Sequence, residues 1–180
     1  MKSVEQQLSR YKSVHFNKKN VQTHFIGIPL IIWAITLLMS LSSIDVSFAG
    51  FTLTLTAAKV FFTVTILYYF KLHWRLALGM IFYILPNIYL AEKFASMDNA
   101  YMLGIFIFVI GWVIQFIGHY FEKAKPAFVD DLSQFLIGPF FLMAEVYFAL
   151  GWEKSLNDSI TPLARDKRRE LEANKRKQTN

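Results

Sequence analysis

Apolar residues run along this chain in blocks separated by short polar stretches. The first block covers roughly residues 25–42, FIGIPLIIWAITLLMSLS. A second, diluted by several threonines and Lys59, covers roughly 52–70. A third covers roughly 76–92 with Pro86-Asn87 inside it, and a fourth, YMLGIFIFVIGWVIQFI at 101–117, is the most uniformly apolar. A helix that crosses a bilayer needs about 20 such residues, so these blocks predict about four transmembrane helices. The fifth, QFLIGPFFLMAEVYFALGW at 134–152, is interrupted by Gly138-Pro139 and carries Glu145. That interruption predicts a re-entrant or interfacial hairpin, broken at Gly138-Pro139 and packed against protein, because irregular backbone is tolerated at membrane depth only where protein covers it.

The polar stretches fit between these blocks. Residues 3–12 predict a short surface helix, and HFNKKN at 15–20 a turn. Links are expected at 43–50 and 93–100, with a tight basic turn, KLHWR, at 71–75. Beyond about residue 153 the chain is strongly charged and reads as a soluble helix or a disordered segment. The expected organisation is one membrane-embedded domain over residues 1–155 and a charged tail over 156–180. The fold class is all-α, a polytopic membrane protein.

Composition sharpens this picture. Of 180 residues, 54% are hydrophobic, too many for an ordinary soluble domain. There is no cysteine, so disulfides and thiolate metal sites are excluded. The net charge of +6 sits at the two ends, on Lys2, Arg10, Lys12, Lys18 and Lys19 and on Arg165, Lys167, Arg168, Arg169, Lys175, Arg176 and Lys177. Flanking cations on a membrane protein set topology and meet anionic lipid, so the partner they imply is the bilayer and not a nucleic acid. The positive-inside bias places the N-terminus, the 71–75 turn and residues 118–133 in the cytoplasm, whereas a fifth full span would put the cationic tail outside. The first 24 residues are too polar for a signal peptide. The expected location is a multi-pass integral membrane position, in a bacterial inner membrane or the endoplasmic reticulum.

That topology puts all four histidines, His15, His24, His73 and His119, at the cytoplasmic face. Neutral imidazole is the commonest metal ligand and suits iron and zinc. His119 and Glu122 are spaced i, i+3 and share a face on a continuing helix. His15 and His24 are nine apart, which on one straight helix turns them to opposite sides; the 17–20 turn would have to fold His15 back. A non-haem Fe(II) site needs two histidines and a carboxylate, or three histidines, with positions left open. This sequence can supply either set. Four scattered histidines cannot build the histidine-box site of a membrane desaturase, and nucleotide, serine-hydrolase and zinc-protease motifs are absent.

The segments HFNKKNVQTHFIGIPL at 15–30 and GWVIQFIGHYFEKAKPAFVDDL at 111–132, with AEVYFALG at 144–151, resemble the family of membrane 2-hydroxy fatty acid dioxygenases. The resemblance extends over roughly residues 1–155, with a one-residue difference after His119 and no counterpart to His73. It implies an Fe(2+)-dependent α-oxidation, in which a 2-hydroxy fatty acid and O2 give a fatty acid one carbon shorter. It implies His15, His24 and His119 as metal ligands; Glu122, by its i, i+3 spacing from His119, is a fourth candidate catalytic group, either a carboxylate ligand or an acceptor that holds a histidine in one tautomer. No protein partner is implied. The competing reading is a non-catalytic small transporter or lipid-binding protein, with Lys59, Pro86-Asn87 and Glu145 as intramembrane polar elements; a bis-histidine haem protein is a third.

Overall fold

The computed structural model describes residues 2–48, 50–129 and 131–179; Asp130 of the second quoted segment lies outside them. The described residues form seven α-helices and one two-stranded sheet: α1 Val4–Lys12, α2 Lys18–Ser40, β1 Ser43–Phe48, β2 Phe51–Thr56, α3 Ala57–Leu72, α4 Trp74–Ala95, α5 Ala100–Glu122, α6 Gln134–Ala149 and α7 Lys154–Thr179, with a 3-10 turn at Ala127–Val129. The chain divides into two compact units, and the boundaries fall inside α2 and α5. One unit comprises residues up to Phe25 and from Phe116 onward; the other runs from Ile26 to Gln115.

In the first unit, α1 is set by a capping box: the Gln6 N–H donates to Ser3 Oγ, and the Ser3 N–H donates back to Gln6 Oε1. Leu8 and Tyr11 carry its apolar face into the unit's core. That core continues through Ile137, Phe140, Phe141 and Ala144 of α6 and Leu156, Ile160 and Ala164 of α7. The last three are spaced four apart, one stripe of an otherwise charged helix. Lys12 ties the three helices together, donating to Glu145 Oε1 at 3.0 Å and Asn157 Oδ1 at 3.2 Å. The segment beyond residue 153 is therefore helical, and α7 packs along α1.

The hairpin expected over 134–152 does not form; α6 runs unbroken through Gly138-Pro139. Proline at the sixth position of α6 removes a single intrahelical hydrogen bond, that to the Phe135 carbonyl. Burial of Ile137, Phe140 and Phe141 holds the helix together. At 16 residues α6 remains shorter than a full span.

In the second unit, β1 and β2 replace the polar link and the start of the second apolar block. The remainder of that block is α3, only 16 residues long. Among the described residues three helices are long and apolar enough to cross a membrane: α2, α4 and α5. His73 separates α3 from α4 as a single extended residue that caps both, its ring accepting the Leu76 N–H. At the hairpin's root, Lys59 pairs with Glu92 at 2.9 Å, and Thr56 Oγ1 donates to the same carboxylate. The core of this unit gathers Leu37, Ala91 and Ala100 with Trp33, Phe94 and Leu103 around them.

Candidate metal centre

His15 lies in the turn between α1 and α2, His24 in the second turn of α2, and His119 in the last turn of α5. All three are buried, and one ring nitrogen from each lies within 4.8 Å of the others. The turn over residues 13–17 folds His15 back, so that its Nε2 stands 2.9 Å from His24 Nε2.

Their orientation follows one rule used twice. His15 Nδ1 lies 2.6 Å from the Tyr11 carbonyl and His24 Nδ1 2.8 Å from the Asn20 carbonyl, in each case four residues back. A carbonyl only accepts, so both Nδ1 atoms carry the proton and both Nε2 atoms present a lone pair. Tyr11 stacks on the His15 ring at 4.1 Å and 2°, and Phe141 stands beside both. Burial pushes the His15 imidazole well below its ordinary pKa; His24 and His119 push it further, against the opposing Tyr11 carbonyl. His15 is therefore neutral near pH 7. Two facing lone pairs at 2.9 Å with no proton between them call for a shared cation.

The residues fit a metal. Two nitrogens about 2.1 Å from one ion, at right angles to one another, lie about 3 Å apart. His119 adds a buried Nδ1 with no hydrogen-bond partner among the described residues. Among the described residues the donor set is three imidazoles with no carboxylate.

Glu122 does something else. Its side chain is almost wholly buried, and its carboxylate accepts from the Phe16 N–H at 3.2 Å, the Asn17 N–H at 2.7 Å, Asn20 Nδ2 at 3.2 Å and Arg168 Nη1 at 3.1 Å. None of these partners is a histidine ring. Glu122 clasps the turn that carries His15 and the start of α2 that leads to His24, where a helix N-terminus favours an anion. Arg168 also donates to the Glu122 carbonyl at 3.2 Å. The end of α5 is turned by Lys123, whose φ of 55° is left-handed. Gly118 lets α5 approach α2: a Cβ there would collide with Thr23 Oγ1 and Asn20 Oδ1.

Of the residues singled out from sequence, His15, His24, His119 and Glu122 all fall in this one unit, while His73 belongs to the other and serves as a helix cap. Sequence reasoning missed Tyr11, Phe141 and Arg168. The four-residue spacings Tyr11–His15 and Asn20–His24 were a usable signal; Arg168 had none.

A family model described as 2-hydroxy-palmitic acid dioxygenase Mpo1-like matches residues 1–150. The 2-hydroxy-palmitic acid dioxygenase MPO1 of Saccharomyces cerevisiae is 33% identical over 159 residues, spanning 87% of each chain. No solved structure matches.

Proposed function

The chain belongs to the Mpo1-like family, and from that premise we propose that it is an Fe(II)-dependent dioxygenase that shortens 2-hydroxy fatty acids by one carbon at the membrane. The observation that carries this reading is the buried trio His15, His24 and His119, arranged as neutral donors around one point. Three imidazoles add no charge of their own, so an ion they hold keeps its full positive charge for an anionic chelating substrate.

The balance is RCH(OH)COOH + O2 → RCOOH + CO2 + H2O. The substrate loses four electrons and O2 takes four, so no reductant enters. When bound, iron supplies O2 activation and a chelation point for the carboxylate and 2-hydroxyl. The protein's part is to place these groups. The Tyr11 and Asn20 carbonyls hold two rings in the tautomer that presents Nε2. Tyr11 and Phe141 give the His15 side an apolar wall that keeps water out. Glu122 keeps the 15–20 turn closed on α5. Fixing C1 and C2 of the substrate beside O2 is the proximity effect that such a site exploits.

The 2.9 Å separation of His15 and His24 disfavours a bis-histidine haem, whose axial nitrogens stand on opposite faces of the ring, about 4 Å apart. The protein is expected to carry its site at the cytoplasmic face of its membrane, by the cation bias of its loops. The test is anaerobic loading with Fe(II), followed by O2 and 2-hydroxypalmitate with mass spectrometry. The expected product is the acid one carbon shorter, formed without NAD(P)H, 2-oxoglutarate or ferredoxin, and plain palmitate should not react. An absolute need for any of those co-substrates overturns the self-sufficient mechanism.

A further inference from the structure

The hairpin of β1 and β2 has two chemically opposite faces. Its register pairs Ile44 with Leu55, Val46 with Leu53 and Phe48 with Phe51 on one side. On the other it pairs Ser43 with Thr56, Asp45 with Thr54 and Ser47 with Thr52. The polar face is stitched by its own hydrogen bonds: Thr54 Oγ1 donates to Asp45 Oδ1 at 2.7 Å, and the hydroxyls of Ser47 and Thr52 meet at 3.1 Å. The apolar face lies open. Phe48 is 81% exposed, Phe51 82%, Ile44 66% and Leu53 58%. Gly50, just before β2, has a φ of 82°, a left-handed value that glycine adopts freely.

Neither water nor the bilayer core suits this element. A lone two-stranded hairpin is marginal in water, and more so with five apolar side chains, Ile44, Val46, Phe48, Phe51 and Leu53, exposed on one face. In the hydrocarbon core, the unpaired N–H and C=O groups along both strand edges would lose every partner. The boundary between the two media satisfies both faces at once. The chain also puts the hairpin there: β1 begins at Ser43, just after the membrane-length α2 ends at Ser40, and β2 runs directly into α3 at Ala57.

We propose that this hairpin is a membrane-surface anchor, lying flat with Ile44, Val46, Phe48, Phe51, Leu53 and Leu55 in the acyl-headgroup boundary and Asp45, Ser47, Thr52 and Thr54 toward water. Residues 41–58 contain no lysine or arginine, so the hairpin is held by its apolar face and not by anionic lipid. Its root is fixed from the protein side by Lys59, which pairs with Glu92 and donates to the Thr54 carbonyl at 3.0 Å. The hairpin thereby sets how far α3 and α4 reach into the bilayer at that end.

The chain has no cysteine, so single cysteines can be read without background. Each of Val46, Phe48 and Leu53 on the apolar face, and Asp45, Ser47 and Thr52 on the polar face, is replaced in turn in the full chain. The proteins are labelled with a small environment-sensitive fluorophore and reconstituted in phosphatidylcholine vesicles, with and without phosphatidylglycerol. Quenching by aqueous iodide and by a shallow nitroxide lipid is then compared. The expected result alternates along the chain: apolar-face sites are quenched by iodide at least about threefold less, and by nitroxide correspondingly more, in both lipid mixtures and unchanged on tenfold dilution into excess lipid. Equal iodide access on both faces overturns the proposal in favour of a free arm. Protection that fades on dilution overturns it in favour of a second copy of this chain. Alternation that needs phosphatidylglycerol overturns the apolar account of attachment. Three sites per face keep the test decisive if one variant misfolds, and the result does not depend on the enzymatic reading.

Discussion

His15 Nε2 and His24 Nε2 stand 2.9 Å apart across nine residues of chain, each ring pinned by a hydrogen bond from its own Nδ1 to the carbonyl four residues before it. The pairing depends on an interruption between α1 and α2. A continuous helix would carry the two rings to opposite sides, whereas the turn at residues 13–17 brings them face to face, and α5 delivers the third ring, that of His119.

Replacing any of the three should remove the metal. His15→Ala, His24→Ala and His119→Ala are each expected to lower 2-hydroxy acid shortening more than about 100-fold, since even partners that only orient a ligand cost 10–100-fold. Iron content in the purified protein should fall with it, while membrane insertion is retained. His73→Ala should keep its iron and most of its activity; the helix cap it loses is worth about 1 kcal/mol. Full iron occupancy without one of the first three would remove that residue from the ligand set.

Glu122 and Arg168 should act as a unit. Glu122→Gln keeps the shape of the clasp but halves its hydrogen-bonding character, since an amide has one acceptor oxygen where the carboxylate has two. The expected result is weaker iron retention, by about 10–100-fold, with slow residual turnover. Complete loss of iron would instead mark Glu122 as a ligand. Arg168→Ala leaves a buried carboxylate with only neutral donors, at a cost of about 2 kcal/mol. In a double-mutant cycle the two changes should be strongly non-additive; simple additivity would separate Arg168 from the site.

Gly118→Ala adds one methyl group where Thr23 and Asn20 already press on the α5 backbone. Overpacking of this kind costs about 1–3 kcal/mol, and here the strain falls one residue from His119. A lower melting temperature in detergent and reduced iron content are expected together. A variant that melts lower yet keeps its iron would show that the helices part without disturbing the rings.

The trio also fixes a parity. His24 lies near the start of α2 and His119 at the end of α5, and their rings meet, so in a bilayer both of those ends are expected at one face. An even number of crossings must connect them. The three membrane-length helices give an odd number, so α3 is expected to be the fourth crossing, although at 16 residues it spans only about 24 Å. Local thinning of the bilayer accommodates such a mismatch. Tags on the two termini should report the same side, the cytoplasm; opposite sides would make α6 a further crossing and restore a fifth span.

The long helices were legible because uniform apolarity survives averaging over a window. The hairpin was not, for the same reason. Phe51, Leu53 and Leu55 alternate with Thr52, Thr54 and Thr56, a period-2 signal that an averaged hydropathy turns into a weak span. Gly138-Pro139 reads as a break, and only the burial of Ile137, Phe140 and Phe141 explains why α6 continues. The histidines could be chosen by residue type and by family resemblance, but Arg168 is one cation among many in a charged segment. Its local pairing, with Glu172 at i+4, is ordinary for a charged helix, and the partner that matters here, Glu122, lies 46 residues away.

Glu122 takes the Phe16 N–H from 106 positions earlier, and Arg168 closes on it 46 positions later. A ribosome therefore finishes the two N-terminal histidines long before it makes the third, and adds the arginine later still. While the nascent chain threads into the membrane, His15 and His24 wait without the rest of their site. The clasp can shut only after α7 has left the exit tunnel, so a metal ion held by the three histidines is expected to be retained firmly only once α7 has been made.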